Sequence, residues 1–327
     1  MPRVVVFDEF GGPEVLRIVD EPVPEPGTGE VRVRIEAFAV NPIDAMMRSG
    51  ASPAPVPLPH ARLGIEATGV VDTVGPEVIG LQPGEPVVVT AIPDSVVRGS
   101  YAEQITIPAN TVVHRPAGLD VPQAAAFWVA YFTAYHTLVE TAGIRPADRV
   151  LISGASGGVG RAAIQIAQQI GAVPIAVTRA TVRVEELLSA GAAGVIATDR
   201  ENVADAVHRR TGGTGVDVVL DLVRGPGQQD LLAATRPGGT LVAAGFLDPR
   251  PTPDPGETPV TVVNYRAFDH LSDPAVVRRA AAFLDAGVRL GALRPAVDRV
   301  FALDDVVAAH RRFDQGLHAG KKIVVTV

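Results

Sequence analysis

The densest run of chemically suggestive residues is Val150-Leu151-Ile152-Ser153-Gly154-Ala155-Ser156-Gly157-Gly158-Val159-Gly160. A short apolar stretch enters a string of glycines, after which Ala163, Ile166, Ala167 and Ile170 recur at helical spacing. Strand, tight turn and amphipathic helix in that order form the setting in which glycines hold a dinucleotide. Ala155 stands at the first fingerprint position, so the pattern reads A-x-G-x-x-G. With no side chains at Gly157 and Gly158, a pyrophosphate can approach the backbone N–H groups of residues Ser156, Gly157, Gly158 and Val159, where the helix dipole favours an anion. Gly160 lets the helix pack closely on its strand. The alternative is a strand-to-helix turn that binds nothing.

Which dinucleotide fits depends on the end of the next strand. An acidic residue about twenty positions on would bind the ribose hydroxyls of NAD. The chain offers Val177-Thr178-Arg179-Ala180-Thr181-Val182-Arg183 and no acid. Arg179 can make charge-assisted hydrogen bonds to a 2′-phosphate, Thr178 can add a donor, and Arg183 a second positive charge. NADPH is therefore the expected cofactor, against the plainer possibility that both arginines solvate a loop. Phe246 follows Gly245 at a strand's C-terminal end, where open parallel sheets place ligands; it either walls the nicotinamide or belongs to the core.

Other chemistries lack their residues. There is no cysteine, which removes disulfides, thiolate metal sites and a cysteine nucleophile. The seven histidines share no ligand spacing, and His310 falls on one helical face with Val306, Ala309 and Phe313, as a packed side chain would. A net charge of −7 repels phosphate backbones and argues against nucleic acid as a partner. No apolar run approaches the roughly twenty residues of a membrane helix. The acidic turn after Met1-Pro2-Arg3-Val4-Val5-Val6-Phe7 does not resemble a signal peptide, so a cytoplasmic location is expected.

These residues need a scaffold, and the chain's texture divides it. Residues 1–122 are rich in valine, proline and glycine, with alternating runs such as Val31-Arg32-Val33-Arg34-Ile35, and Pro53 to Pro59 reads as a surface loop. From about Val121 an apolar helical stretch is predicted to run to Glu140, and strands then alternate with amphipathic helices. That alternation predicts a Rossmann-type doubly wound parallel sheet over 123–290. Val297 to Leu303 and Lys322 to Val327 are strand-like again, with Asp304 placed to cap a helix that stops near Gly316, so 291–327 is expected to return to the N-terminal domain. The fold class is α/β with a second, mainly β domain formed by both chain ends.

Several short segments taken together resemble the medium-chain dehydrogenase/reductase superfamily, in its zinc-free quinone oxidoreductase branch. They are Asn41-Pro42-Ile43-Asp44 with Arg48-Ser49-Gly50, Gly64-Ile65-Glu66-Ala67-Thr68-Gly69-Val70-Val71, Gly99-Ser100-Tyr101-Ala102-Glu103, Thr133-Ala134-Tyr135, the glycine turn, Gly238-Gly239 and Gly320-Lys321-Lys322-Ile323-Val324-Val325. The resemblance implies a GroES-like β domain beside the Rossmann domain. In zinc-bearing relatives a cysteine takes the position of Asn41, a histidine that of Ile65, and another cysteine precedes the Thr133 segment; here Glu66 alone persists, and a single carboxylate makes no zinc site.

The resemblance further implies that Asn41 lines the nicotinamide pocket, that Thr133 touches the ring or its ribose, and that Lys321 reaches the cofactor. Hydride transfer to a conjugated acceptor puts charge on a distant carbonyl oxygen, which positioning and a few donors can stabilise without metal. The family's tyrosine near the Asn-x-x-Asp motif is Met46 here. Tyr131 is a candidate replacement as a substrate-positioning donor, or else a half-buried tyrosine with its hydroxyl at the domain boundary. Asp44 is expected to cap or to pair near Arg48. The expected activity is NADPH-dependent reduction of a small conjugated carbonyl such as a quinone; alternatives are an enoyl or enone reductase of a biosynthetic pathway, a non-catalytic NADPH-binding sensor and zinc-assisted alcohol oxidation. Relatives of this kind pair as homodimers through a sheet edge, for which Pro259 to Val263 is the candidate strand.

Overall fold

A computed structural model describes residues 1–92, 94–271, 273–318 and 320–327. The chain forms two compact units: Met1–Val129 with Leu271–Ala281 and Arg294–Val327, and Ala130–His270 with Ala282–Leu293. The first is built on strands β1 (Arg3–Phe7), β2 (Arg17–Asp20), β3 (Glu30–Val40), β4 (Ala61–Arg62), β5 (Ala67–Val74), β6 (Pro86–Val89), β7 (Gln104–Pro108) and β8 (Val112–His114). The second holds β9 (Arg149–Ile152), β10 (Val173–Thr178), β11 (Gly194–Ala197), β12 (Val216–Asp221), β13 (Thr235–Ala243) and β14 (Thr261–Asn264), before β15 (Val297–Ala302) and β16 (Lys322–Thr326) complete the first.

In the first unit β16 pairs with β3, β3 with β5 and β5 with β6, all antiparallel, while β15 lies parallel to β16 at the edge. Side-chain alternation explains β3: Val31, Val33 and Ile35 are buried while Arg32 and Arg34 point outward. One register decides the later chemistry. Ile323 lies opposite Val40, so the next step along both strands sets Lys322 beside Asn41.

The second unit is a six-stranded sheet in the order β11-β10-β9-β12-β13-β14, with every pair parallel. Counted from β9, that is the 3-2-1-4-5-6 order of a Rossmann sheet, in which ligands lie beyond the strands' carboxyl ends where the order reverses. The central strands Val150–Ile152 and Val218–Leu220 are buried on both faces, as parallel strands covered by helices must be.

Two local expectations are corrected. The predicted helix from Val121 to Glu140 is broken: it comprises Val121–Ala125, Trp128–Tyr135 and then a π-helical turn, His136–Thr141. Asp304 does not cap the helix Val306–Asp314, which follows a 3-10 turn Leu303–Asp305; its carboxylate instead accepts from Arg3 at 2.9 Å. Leu303 turns into the core, and the tight turn it makes moves the helix start beyond Asp304.

Candidate active site

Asn41 is the hinge between β3 and the helix Pro42–Ser49. Its extended backbone, with Pro42 at the first helical position, gives the geometry of an N-cap. Asp44 answers from the first turn, accepting the Asn41 N–H on Oδ2 at 2.8 Å. Its other oxygen takes the Gly64 N–H at 3.0 Å, and the Tyr101 hydroxyl donates at 3.3 Å. Complete burial pushes the Asp44 carboxyl up to about 7, against the pull of those N–H donors and of Lys322.

Of the two roles expected of Asp44, the cap is made and the pairing with Arg48 is not. Arg48 is buried too, but its guanidinium turns to the other wall, donating to His310 Nδ1 at 2.9 Å, Asp314 at 2.6 Å and the Gly11 carbonyl at 3.2 Å. A permanent donor on Nδ1 leaves the proton on Nε2, which faces the Tyr101 oxygen at 3.2 Å. Burial and the Arg48 charge hold His310 neutral, lowered to about 3. Arg48, His310, Tyr101 and Asp44 thus form one directed chain of hydrogen bonds.

A second cluster surrounds Asn41. Lys322 Nζ hydrogen-bonds Asn41 Oδ1 and lies 2.6 Å from Glu66 Oε1. Asn41 Nδ2 donates to the same Glu66 oxygen at 3.0 Å and to the Ala39 carbonyl at 3.3 Å. The remaining Glu66 oxygen accepts the Val129 N–H at 2.8 Å. Glu66 is 1% exposed and the Lys322 side chain 12%. A carboxylate so buried costs several kcal/mol unless paired, and here an ammonium and two N–H donors meet it. Asn41, expected as a pocket residue, is 2% exposed with its amide committed at both ends.

Lys321, expected to reach the cofactor, lies in the turn before β16, and the buried cluster holds its neighbour Lys322. Lys321 donates its backbone N–H to the His318 carbonyl at 2.9 Å in the turn before β16. Strand alternation was the available signal. Of two consecutive lysines entering an apolar strand, one must face inward.

In the second unit the turn after β9 has the geometry its glycines predict. Gly154 adopts φ +58°. Gly157 is the N-cap of the helix Gly158–Ile170 and offers no capping side chain, so the first-turn amides of Gly158 and Val159 are left for a ligand; these and Ser156 are half-exposed. A Cβ at Gly160 would lie 2.5 Å from Ala155 Cα, so only glycine permits this helix-to-strand approach. Arg161, which the sequence reading passed over, stays in the turn: it donates to the Ser156 carbonyl at 3.1 Å and to Glu186.

Thr178 closes β10 and is buried; Arg179, which follows it, is exposed. Arg183 lies on the next turn with its guanidinium 3.0 Å from Glu186, so part of its charge is already matched. Arg200, also missed, reaches the same turn, donating to Thr181 Oγ1 at 3.3 Å. Another missed residue is Asp221 at the end of β12, completely buried. It takes Ser153 Oγ at 2.7 Å and Gln228 Nε2 at 2.9 Å and ties the carboxyl ends of β9 and β12 together.

The remaining candidates separate. Thr133 is buried in the helix Trp128–Tyr135, its carbonyl accepting from Thr137 at 2.7 Å. Tyr131, expected to offer a phenol to substrate, is buried and donates it to Gln165 at 2.7 Å. Phe246 is 53% exposed just beyond β13, which places it outside the core.

Family sequence models match both units' territory: the alcohol dehydrogenase GroES-like domain over residues 27–117 and the zinc-binding dehydrogenase family over 158–288. The quinone oxidoreductase of Homo sapiens is 31% identical over 330 residues, spanning 99% of this chain and 97% of its own. This chain belongs to the medium-chain dehydrogenase/reductase superfamily. Within it, a 2-haloacrylate reductase from Burkholderia sp is 31% identical over 320 residues, 95% of each chain. The crystal structure of Escherichia coli quinone oxidoreductase complexed with NADPH superimposes with a TM-score of 0.89 at 27% identity, covering 99% of this chain and 100% of that one. The chain is thus a quinone oxidoreductase-like member of the superfamily, an enzyme that transfers hydride with a nicotinamide cofactor and a small-molecule substrate.

Superfamily membership raises the question of zinc, and the side chains answer poorly to it. Asn41 and Ile65 supply neither thiolate nor imidazole, Glu66 is already paired with an ammonium, and among the described residues no group of three His, Cys, Asp or Glu could hold a metal ion. The nicotinamide cofactor fits better: its diphosphate matches the free amides at residues 158 and 159 beside a glycine that tolerates no Cβ.

Proposed function

We propose that this enzyme reduces a conjugated carbonyl compound, such as a quinone or an enone, with NADPH and without zinc. The observation that carries this reading is the Lys322 ammonium set between Asn41 and Glu66, a fixed cation among residues that offer a metal no thiolate or imidazole. When bound, the reduced nicotinamide supplies a hydride. Ser156, Gly158 and Val159 would hold its diphosphate through backbone N–H groups, with Gly157, whose own N–H donates to the Gly154 carbonyl at 3.0 Å, clearing the approach; Thr178 and Arg179 would hold the 2′-phosphate, and Phe246 one side of the ring. Thr133 and Asn41 are proposed pocket residues, with Asn41 acting as part of the rigid wall that positions Lys322. Preference for NADPH rests on Arg179, an exposed guanidinium at the end of β10 with no acid beside it in sequence.

The 2-haloacrylate reductase among the relatives favours activated carbon–carbon double bonds as substrates alongside quinones. A panel of quinones, enones, haloacrylates and enoyl thioesters, followed by loss of NADPH absorbance in metal-free buffer, tests the reading. Turnover that survives chelation on at least one class is expected; turnover only of alcohols with added zinc would overturn it. We also infer a homodimer through β14, whose outer edge has no strand partner among the described residues, with solution mass as the measurement.

A further inference from the structure

The donor inventory around Asn41 assigns a role that the sequence motif alone would give to the wrong residue. Asn41 has two amide hydrogens, and both are spent, on Glu66 and on the Ala39 carbonyl. Its oxygen accepts from Lys322. An incoming carbonyl oxygen would find no free donor on that side chain. Glu66 is an acceptor and would repel a developing negative charge, and both Asp44 oxygens are already taken by the Asn41 and Gly64 N–H groups. Lys322 differs. Its ammonium has three hydrogens, of which two go to Asn41 and Glu66, and the side chain stays 12% exposed while its carboxylate partner is sealed at 1%.

The cation is also rigidly held. β16 delivers it opposite Asn41 by strand register, Glu66 immediately precedes β5, next to the Ala67 that pairs with Phe38 of β3, and the Val129 amide fixes the far Glu66 oxygen. A preorganised charge of this kind stabilises an oxyanion without reorganising as the reaction proceeds. A freely rotating surface lysine would not.

We propose that the third N–H of Lys322 is the group that takes the acceptor's carbonyl oxygen as hydride arrives at the conjugated carbon, making Lys322 the catalytic cation of this enzyme. The inference rests on the conjugated-carbonyl reading above. With the cofactor bound, hydride from the reduced nicotinamide would form the new C–H bond on the acceptor as the donor C–H bond breaks, and the displaced π pair would end on the carbonyl oxygen. That oxyanion is held by the Lys322 ammonium until solvent supplies the proton; the cofactor is oxidised and the acceptor reduced by two electrons.

The test uses the full-length enzyme in three forms beside the wild type: Lys322→Met, Lys322→Arg, and the double variant Lys322→Met/Glu66→Gln, which removes both charges so that no buried carboxylate is stranded. Folding is followed by circular dichroism and NADPH affinity by calorimetry. For folded variants with methionine at 322, kcat is expected to fall about a hundredfold or more, the scale of losing one oxyanion donor, with NADPH affinity within about threefold of wild type. Across a series of substituted enones the loss should grow as the product oxyanion becomes more basic, a dependence that a merely structural role would not produce; Lys322→Arg should retain most of the rate. Wild-type kcat in the folded double variant would overturn the proposal, as would a uniform loss across the series. Preserved kcat with NADPH affinity weakened tenfold or more would do so as well, by making Lys322 a phosphate ligand. A wild type that binds NADPH yet reduces no conjugated carbonyl would remove the functional reading itself, a result distinguishable from all of these.

Discussion

The two units build their sites from opposite materials. In the first, the chemistry lies in buried side chains that hold one another: Lys322 with Asn41 and Glu66, and Arg48 through His310 and Tyr101 to Asp44. In the second, it lies in backbone amides and in the absence of side chains, at Gly157, Gly158 and Gly160. A side-chain network fails when one atom changes its hydrogen-bonding character, because a buried partner is then left unsatisfied. A backbone cradle is indifferent to such changes nearby and fails when an atom is added.

The strongest way to test that contrast is to add one methyl group to the cradle. Gly160→Ala places a Cβ 2.5 Å from Ala155 Cα and 2.7 Å from its carbonyl oxygen, and these are backbone atoms that cannot step aside. A loss of about 3 kcal/mol in urea unfolding is expected, together with weakened NADPH binding. Wild-type stability would mean that the helix and strand are not as tightly apposed as described.

A smaller effect is expected from changing a single atom of the network. Asp44→Asn keeps the shape but offers one acceptor oxygen where the Asn41 and Gly64 N–H groups need two, so about 2 kcal/mol should be lost at pH 5. The pH dependence sharpens the test. An Asp44 carboxyl raised to about 7 stabilises the fold fully below its unfolded value, and that contribution is lost as pH rises from about 4 through 7. A His310 lowered to about 3 acts in reverse: its contribution is present above about 6.5 and is lost as pH falls. The slopes oppose each other between about pH 4 and 6.5. Removing the Asp44 contribution should therefore expose a steeper fall in stability on acidification, measured as urea midpoints across that range. A variant curve parallel to wild type would contradict the assignment.

The mildest prediction concerns an exposed side chain on the backbone-built unit. Arg179→Ala should leave stability unchanged and weaken NADPH binding about tenfold, roughly 1.4 kcal/mol, with NADH affinity unaltered in calorimetry. Equal losses for the two cofactors would place the 2′-phosphate elsewhere.

What the sequence disclosed follows the same division. Backbone-built features were legible, since Gly154 to Gly160 announce their turn by composition, and the alternation of apolar runs with amphipathic segments announced the parallel sheet. Side-chain networks were not, because they join residues far apart: Lys322 meets Glu66 across 256 positions, and only the pairing of β16 with β3 decides that Lys322 rather than Lys321 turns inward. Asp44 and Arg48 sit at helical spacing that suggests a pair, yet each is claimed by a more distant partner, Gly64 and His310 respectively. Local spacing proposes neighbours, and long-range packing overrides it.

The late position of Lys322 has a consequence for biogenesis. While the polypeptide is being synthesised, β3 and β5 emerge long before the residue that neutralises Glu66, so a nascent first unit carries an uncompensated carboxylate at its centre. The parallel sheet of the glycine-turn unit makes no pairing with β16. Insertion of β16 therefore delivers strand pairing to β3 and charge balance to Glu66 in a single event.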